Sequence, residues 1–257
     1  MELGLSGRTA LVTGGSRGLG LGTARLLAAE GCHLHLASRS ATDLETAKRR
    51  ITEAHHVNVT CHAMDLGSGD NVRALARDCG DVDILINNAG AIPHGHLTDL
   101  DEKRWREGWE LKVFGFVNLT RELYRNMCAR RSGVIVNVIG GAGERPTADY
   151  IAGSMGNASL MALTRALGAE SPRFNVRVVG VNPGATETDR VTVRLRAQAE
   201  KDLGNAEHWR ELTTGFPFGR LATVDEVVNT IVFLCSGLSS YTTGTIVTVD
   251  GGAAWRR

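Results

Sequence analysis

An apolar run, Thr9-Ala10-Leu11-Val12, passes into Thr13-Gly14-Gly15-Ser16-Arg17-Gly18-Leu19-Gly20 and then into a helical pattern from Leu21 to Glu30. Strand, glycine turn, helix is the context in which a glycine motif predicts a dinucleotide site. Glycines let the backbone turn tightly and approach a pyrophosphate without Cβ clashes. The following helix aims its unpaired N–H groups and the positive end of its dipole at the anion. Gly14, Ser16, Arg17, Gly18, Leu19 and Gly20 are therefore cofactor-binding candidates.

The rest of the chain repeats this alternation. Apolar, β-branched runs predict strands over 8–13, 32–37, 57–62, 82–87, 133–138, 175–181 and 245–249. Helical patterns occupy 18–30, 41–54, 69–79, 101–130, 149–171, 190–211 and 223–235. Such an order predicts an α/β fold, a doubly wound parallel sheet with helices on both faces. No linker or repeat interrupts residues 1–257, so one dinucleotide-binding domain is expected. Ligands bind outside the carboxyl ends of the strands in such sheets, so the loops at 13–20, 37–40, 87–96, 138–146 and 182–190 should share one edge.

Composition narrows the class. Hydrophobic content of 42% with 22% charged residues is that of a soluble globular chain. A formal charge of +1 supplies no field for nucleic acid or an anionic membrane. No apolar run approaches the roughly 18 residues of a membrane span, and no signal peptide is visible. Five cysteines, an odd number without CxxC spacing, argue against a disulfide framework or a zinc site. Reduced, buried thiols in a cytoplasmic protein are the expectation, with no metal.

The second strand ends at Ser38-Arg39, where an acidic residue would grip the ribose 2′-hydroxyl of NAD. Arg39 and Arg17 instead suit a 2′-phosphate, which guanidinium binds bidentately. NADP(H) is thus preferred and NAD(H) possible. Asp65, followed by Leu66 after the third strand, either accepts from the adenine amino group or is a turn residue.

Several segments together resemble the short-chain dehydrogenase/reductase family, nearly from end to end. They are Thr13 to Gly20, Asp65, Asn87-Asn88-Ala89-Gly90, Tyr150 at the head of a long helix, Asn182-Pro183-Gly184 with Thr186 and Thr188, Phe216 to Arg220, and Val249 to Gly252. The resemblance implies a single-domain Rossmann-type doubly wound sheet of about seven parallel strands, and hydride transfer between NADP(H) and a small-molecule alcohol or carbonyl, often in a homotetramer; a homo-oligomer, tetramer or dimer, is expected. It implies that Asn88, Ala89 and Gly90 bound the cofactor pocket, that Pro183, Gly184 and Thr186 hold the nicotinamide amide, and that 187–215 forms a substrate lid.

Of the family's Asn, Ser, Tyr and Lys, only the tyrosine stands plainly here, as Tyr150. Ser154 falls where the pattern has lysine, Gly140 where it has serine, and Lys112 where it has asparagine. Lys112 lies within an apolar stripe of Trp105, Trp109, Phe116, Leu119 and Leu123, an unusual place for lysine. It either snorkels to water or supplies a relocated ammonium. Tyrosine, with a pKa of ~10, needs a nearby positive charge to act near neutrality; a cation about 4 Å away is worth about 4 kcal/mol at an effective dielectric near 20. The catalytic candidates are Tyr150 as acid/base, Lys112 as its electrostatic partner, Ser154 as auxiliary, and Gly140, whose N–H, or that of Gly141, either polarises a carbonyl or simply lies in a tight turn.

His94-Gly95-His96 reads as an exposed loop, since a zinc site would need a third convergent ligand. His33 and His35 share one sheet face and read as structural or cofactor-adjacent. Because fold does not fix function, an NADP(H)-binding regulatory protein without chemistry is the alternative to an oxidoreductase.

Overall fold

The computed structural model describes residues 2–256. Seven strands form one parallel sheet: β1 (Thr9–Thr13), β2 (His33–Ser38), β3 (Val59–Ala63), β4 (Ile84–Asn87), β5 (Gly133–Val138), β6 (Val176–Pro183) and β7 (Ile246–Val249). Their spatial order is β3-β2-β1-β4-β5-β6-β7, reversing direction of growth between β1 and β4. A crevice opens at such a reversal, which is where doubly wound sheets bind ligands.

Both faces of the sheet are covered, and strand alternation assigns each residue to one of them. Val12, Leu34, Ile84, Ile86 and Val136 pack with α1 (Gly18–Ala29) and α8 (Val224–Cys235). Leu11, Leu85, Ile135 and Val178 face the other way, toward α3 (Gly69–Asp78) and α5 (Gly115–Arg130). The remaining α-helices are α2 (Ala41–Ala54), α4 (Glu102–Trp109), α6 (Ile151–Glu170) and α7 (Asp189–Leu203). No described helix is long and apolar enough to cross a membrane. All five cysteines are free; Cys32, Cys79 and Cys235 are buried.

Two expected helices are corrected. The pattern over 101–130 is interrupted by a π-turn at Glu110–Phe114, in which the Gly115 N–H donates to the Glu110 carbonyl. Periodicity continues across it, so the apolar stripe gave no warning. The pattern over 190–211 ends at Leu203, where Gly204 adopts φ 71°, and resumes as 3-10 turns over Ala206–Thr213. Glycine makes that left-handed stop without steric cost.

A buried polar ladder joins the elements below the carboxyl edge. Asn87 Nδ2 donates to Thr120 Oγ1 and Asn137 Oδ1, both at 2.9 Å. Asn137 Nδ2 donates to Thr164 Oγ1 at 2.9 Å, which donates to the Leu160 carbonyl at 2.7 Å. Helix α5, strands β4 and β5, and helix α6 are thereby tied through side chains that are shielded from water.

Candidate functional site

The glycine loop is fastened to the neighbouring strand end. Thr13 Oγ1 accepts from the backbone N–H groups of Asn88 and Ala89 at 2.9 and 3.0 Å, and Asn88 Nδ2 donates to the Thr13 carbonyl at 3.0 Å. Gly14 and Gly18 hold φ values of 66° and 53°, the left-handed region that glycine enters freely. A Cβ on Gly20 would lie 2.1 Å from the Gly14 carbonyl oxygen, so only glycine lets α1 start this close to the loop. Arg17 precedes α1 without a side-chain cap. The first-turn N–H groups therefore face the crevice as an anion cradle, flanked by Ser16 and Leu19.

Arg17 reaches sideways to Asp43 at 2.7 Å, on the first turn of α2. That contact, with help from Ser40, holds the Asp43 carboxyl below its ordinary range. Ser40 caps α2 by accepting from the Asp43 N–H. Ser38 ends β2 next to the exposed Arg39, and its Oγ is buried without a partner among the described residues. Asp65 Oδ1 accepts from the Gly67 N–H at 2.9 Å and so closes the turn that carries the buried Leu66.

Across the crevice, the Gly184 N–H donates to the Val249 carbonyl at 2.9 Å and Thr186 Oγ1 donates to the Gly184 carbonyl at 3.0 Å. A Cβ on Gly184 would sit 2.7 Å from Asp250 Cα, so the turn after Pro183 also depends on glycine. Asn182 Oδ1 accepts the Gly140 N–H at 3.2 Å, while its own Nδ2 is buried without a partner among the described residues. Gly140 has φ 136°, and a Cβ there would come 2.9 Å from Asn157 Nδ2. Its amide is engaged and a side chain would be strained, so Gly140 serves the turn and its own N–H is not a free oxyanion donor.

Tyr150 occupies the N-cap of α6. Its ring lies back across the first turn, where a Cβ on Gly153 would be 2.0 Å from Tyr150 Cζ. On its other side His94 stacks at a centroid distance of 4.2 Å. The segment carrying His94 is anchored by the Gly95 N–H, which donates to the Asp149 carbonyl at 2.8 Å. Burial raises the Tyr150 phenol above its ordinary value, while the charges of Arg190 and Arg194 pull it down. Arg190 also donates to the Gly90 carbonyl at 3.2 Å, and Arg194 meets His94 Nε2 at 3.4 Å. Ser154 is buried, and its Oγ accepts from the Thr147 N–H at 3.3 Å; it steadies the segment leading into Tyr150.

Lys112 is 8% exposed, which excludes the snorkelling alternative. Its stem lies over Gly90, where a Cβ would come 2.3 Å from Lys112 Cδ. The amine donates to the Val138 carbonyl at 2.7 Å and stands 4.6 Å from the Phe116 ring centroid. Burial first, and the Arg190 charge second, lower its pKa from 10.5 to about 7. The charges bearing on Tyr150 come from Arg190 and Arg194 of α7 and not from Lys112.

The structure therefore gathers Tyr150, Lys112, Arg190, Arg194 and His94 near the carboxyl ends of β4 and β5. Arg190 and Arg194 were not singled out by sequence, and His94, read there as part of an exposed loop, was given no role beside Tyr150. No local spacing marks them, because a loop and a distant helix meet only in the folded chain. Trp109 also escaped notice as an anchor; its Nε1 donates to the Ala152 carbonyl at 3.0 Å, tying the α4 end to α6.

The cradle fits a dinucleotide on three observations: the Gly14–Gly20 approach, the unpartnered Ser38 Oγ, and the unpartnered Asn182 Nδ2. Comparison with known proteins agrees. The family pattern described as short chain dehydrogenase matches residues 8–199. The 2,3-dihydro-2,3-dihydroxybenzoate dehydrogenase of Bacillus subtilis (strain 168) is 30% identical over 258 residues, covering 97% of each chain. Galactitol 2-dehydrogenase (L-tagatose-forming) of Cereibacter sphaeroides is 33% identical over 253 residues, covering 96% of this chain and 95% of the relative. The crystal structure of L-sorbose reductase from Gluconobacter frateurii, complexed with NADPH and L-sorbose, matches with a TM-score of 0.94 and 30% identity over 100% of both chains.

Proposed function

The chain belongs to the short-chain dehydrogenase family, and from that membership we propose that it is an NADP(H)-dependent oxidoreductase interconverting a secondary alcohol and its ketone, with Tyr150 as general acid/base. Tyr150 carries the reading: its ring is held between Gly153 and His94, under two guanidinium charges, at the sheet edge that also bears the glycine cradle. When bound, the nicotinamide supplies or accepts the hydride.

The chain's own residues do the rest. Gly14, Gly18 and Gly20 shape the cradle for the pyrophosphate, and Arg17, Ser38 and Arg39 hold the 2′-phosphate. Asp65, Leu66, Asn88, Ala89 and Gly90 border the adenosine side; Pro183, Gly184 and Thr186 border the nicotinamide amide. Tyr150 Oη gives its proton to the carbonyl oxygen during reduction and takes it back from the alcohol during oxidation. Arg190 and Arg194 favour the phenolate form, and Lys112, its amine held by the Val138 carbonyl and its stem laid over Gly90, braces the strand ends beside them. Ser154 and Gly140 position Tyr150 and the opposing turn.

By their names, the relatives handle a vicinal dihydrodiol, a hexitol and L-sorbose. We extend that class to this chain: a polyhydroxylated substrate with a hydroxyl beside the reacting carbon. His94, Arg190 and Arg194 provide donors for it. The segment 187–215 closes over it as a lid, and the protein works as a cytoplasmic homo-oligomer.

NADPH consumption across a panel of ketoses and other α-hydroxy ketones tests the proposal. Turnover should fall by about 10³-fold in Tyr150→Phe with NADPH binding unchanged. Tight NADPH binding without turnover on any panel member overturns the enzyme reading in favour of a regulatory one. Equal turnover in Tyr150→Phe overturns the tyrosine assignment alone.

A further inference from the structure

On the sheet face covered by α3, two imidazoles and a thiol converge outside the proposed active site. His35 stands on β2, His62 on β3, and Cys79 directly after α3. His35 Nδ1 lies 2.9 Å from His62 Nε2, and His62 Nε2 lies 3.7 Å from Cys79 Sγ. All three donor atoms fall within 4.8 Å of one another. The walls are apolar: Leu11, Leu75 and Val82 belong to the same cluster as Cys79.

Hydrogen bonding does not account for the grouping. A neutral imidazole nitrogen offers one hydrogen or one in-plane lone pair. His62 Nε2 faces both His35 Nδ1 and Cys79 Sγ, so one of these contacts goes unserved. A single cation at the centre of the triangle would satisfy all three donors. With Zn–N of about 2.0–2.1 Å and Zn–S of about 2.3 Å, a tetrahedral ion separates its nitrogens by about 3.3 Å and nitrogen from sulfur by about 3.6 Å. Shifts of a few tenths of an ångström in the two close contacts, and about an ångström in the third, would therefore seat the ion.

The surroundings favour a cation. His62 Nδ1, the nitrogen turned away from the triangle, is 3.9 Å from the Asp78 carboxylate. A carboxylate behind a ligating histidine fixes its tautomer and strengthens it as a ligand. Asp78 and Asp81 both direct negative charge toward His35. An imidazole-imidazole-thiolate set suits zinc over hard cations such as magnesium or calcium.

We propose that His35, His62 and Cys79 form a zinc site, completed by water at the fourth position. It would pin the edge strand β3 and the end of α3 to β2. Three residues further along β2, about 10 Å away, Ser38 lines the cofactor corner. The site is independent of the oxidoreductase proposal, since none of its donors takes part in that chemistry.

Reduced, chelator-treated full-length protein should be titrated with Co²⁺ and then Zn²⁺. One equivalent of Co²⁺ should give the visible bands of a tetrahedral ion and a sulfur charge-transfer band, and Zn²⁺ should displace it. Zn²⁺ should raise the melting temperature of the wild type. Cys79→Ser should lose the charge-transfer band and at least tenfold in affinity, and His62→Gln should weaken binding similarly. Absence of stoichiometric binding, or binding unchanged in Cys79→Ser, overturns the proposal. The Co²⁺ titration of the wild type, with its sulfur charge-transfer band, needs no variant, so a failure of either variant to fold leaves the test intact.

Discussion

The two halves of the crevice are built by different means. On the cofactor side, shape comes from backbone: Gly14 and Gly18 take left-handed conformations and Gly20 admits a contact that no other residue could make. On the proposed catalytic side, Tyr150, His94, Arg190 and Lys112 come from four separated segments and are brought together largely by side chains, with one backbone bond from Gly95 to Asp149. A backbone-built half tolerates change in its neighbours and tolerates none in its glycines. A side-chain-built half can lose one member and recruit another without rebuilding the backbone beneath it.

Gly153→Ala tests this contrast most sharply. The new methyl group displaces the Tyr150 ring, so kcat should fall by about 10²-fold. Alanine is favoured over glycine in a helix by up to about 1 kcal/mol, so the melting temperature should hold or rise. Activity kept in this variant breaks the claim that a glycine sets the tyrosine's pose.

Removing Arg17 probes the other half. Arg17→Ala should weaken NADPH binding by about tenfold while leaving NADH binding nearly unchanged, measured by cofactor fluorescence. Equal losses for both cofactors would remove Arg17 from the 2′-phosphate corner. Asp43→Asn should act in the opposite sense and tighten NADPH binding by about two- to fivefold, because the ion pair at 2.7 Å no longer competes for the guanidinium.

Lys112→Met gives the smallest effect and the most specific signature. The folded chain holds the Lys112 proton only up to about pH 7, against 10.5 for an unburied lysine. Between those values the unfolded state binds more protons, so wild-type stability rises with pH. The Met variant lacks this dependence. It should exceed the wild type by about 1–2 kcal/mol below neutrality, with the gap closing as pH climbs toward about 10. Melting curves across that range check it; a constant gap would show that the lysine is not buried as a cation. A fall of about tenfold in turnover at neutral pH would sharpen its place beside Tyr150.

The same division governs what could be read before folding. The strand at 133–138 matches Gly133–Val138, and the other six strands fall within two residues of their predicted bounds. Their signal is local: apolar, β-branched runs between turn residues. The glycine loop is legible for the same reason. The π-turn at Glu110–Phe114 is not, because one added backbone residue leaves the apolar stripe intact. Neither is the His94–Tyr150 stack, nor the approach of Arg190 and Arg194. These depend on where α7 comes to rest, and no spacing within the chain encodes that distance. His35, His62 and Cys79 show the limit again: a short-spacing rule for zinc ligands is blind to donors brought together by strand register.

The ladder from Thr120 through Asn87 and Asn137 to Thr164 bears on how such a protein can diversify. It braces the helix that follows Lys112 and the helix that begins at Tyr150 against two central strands, with no member drawn from residues 187–215. Substitutions in that segment leave the brace untouched. On the proposal that this segment covers the substrate, one cover can be traded for another while the frame beneath keeps its dimensions.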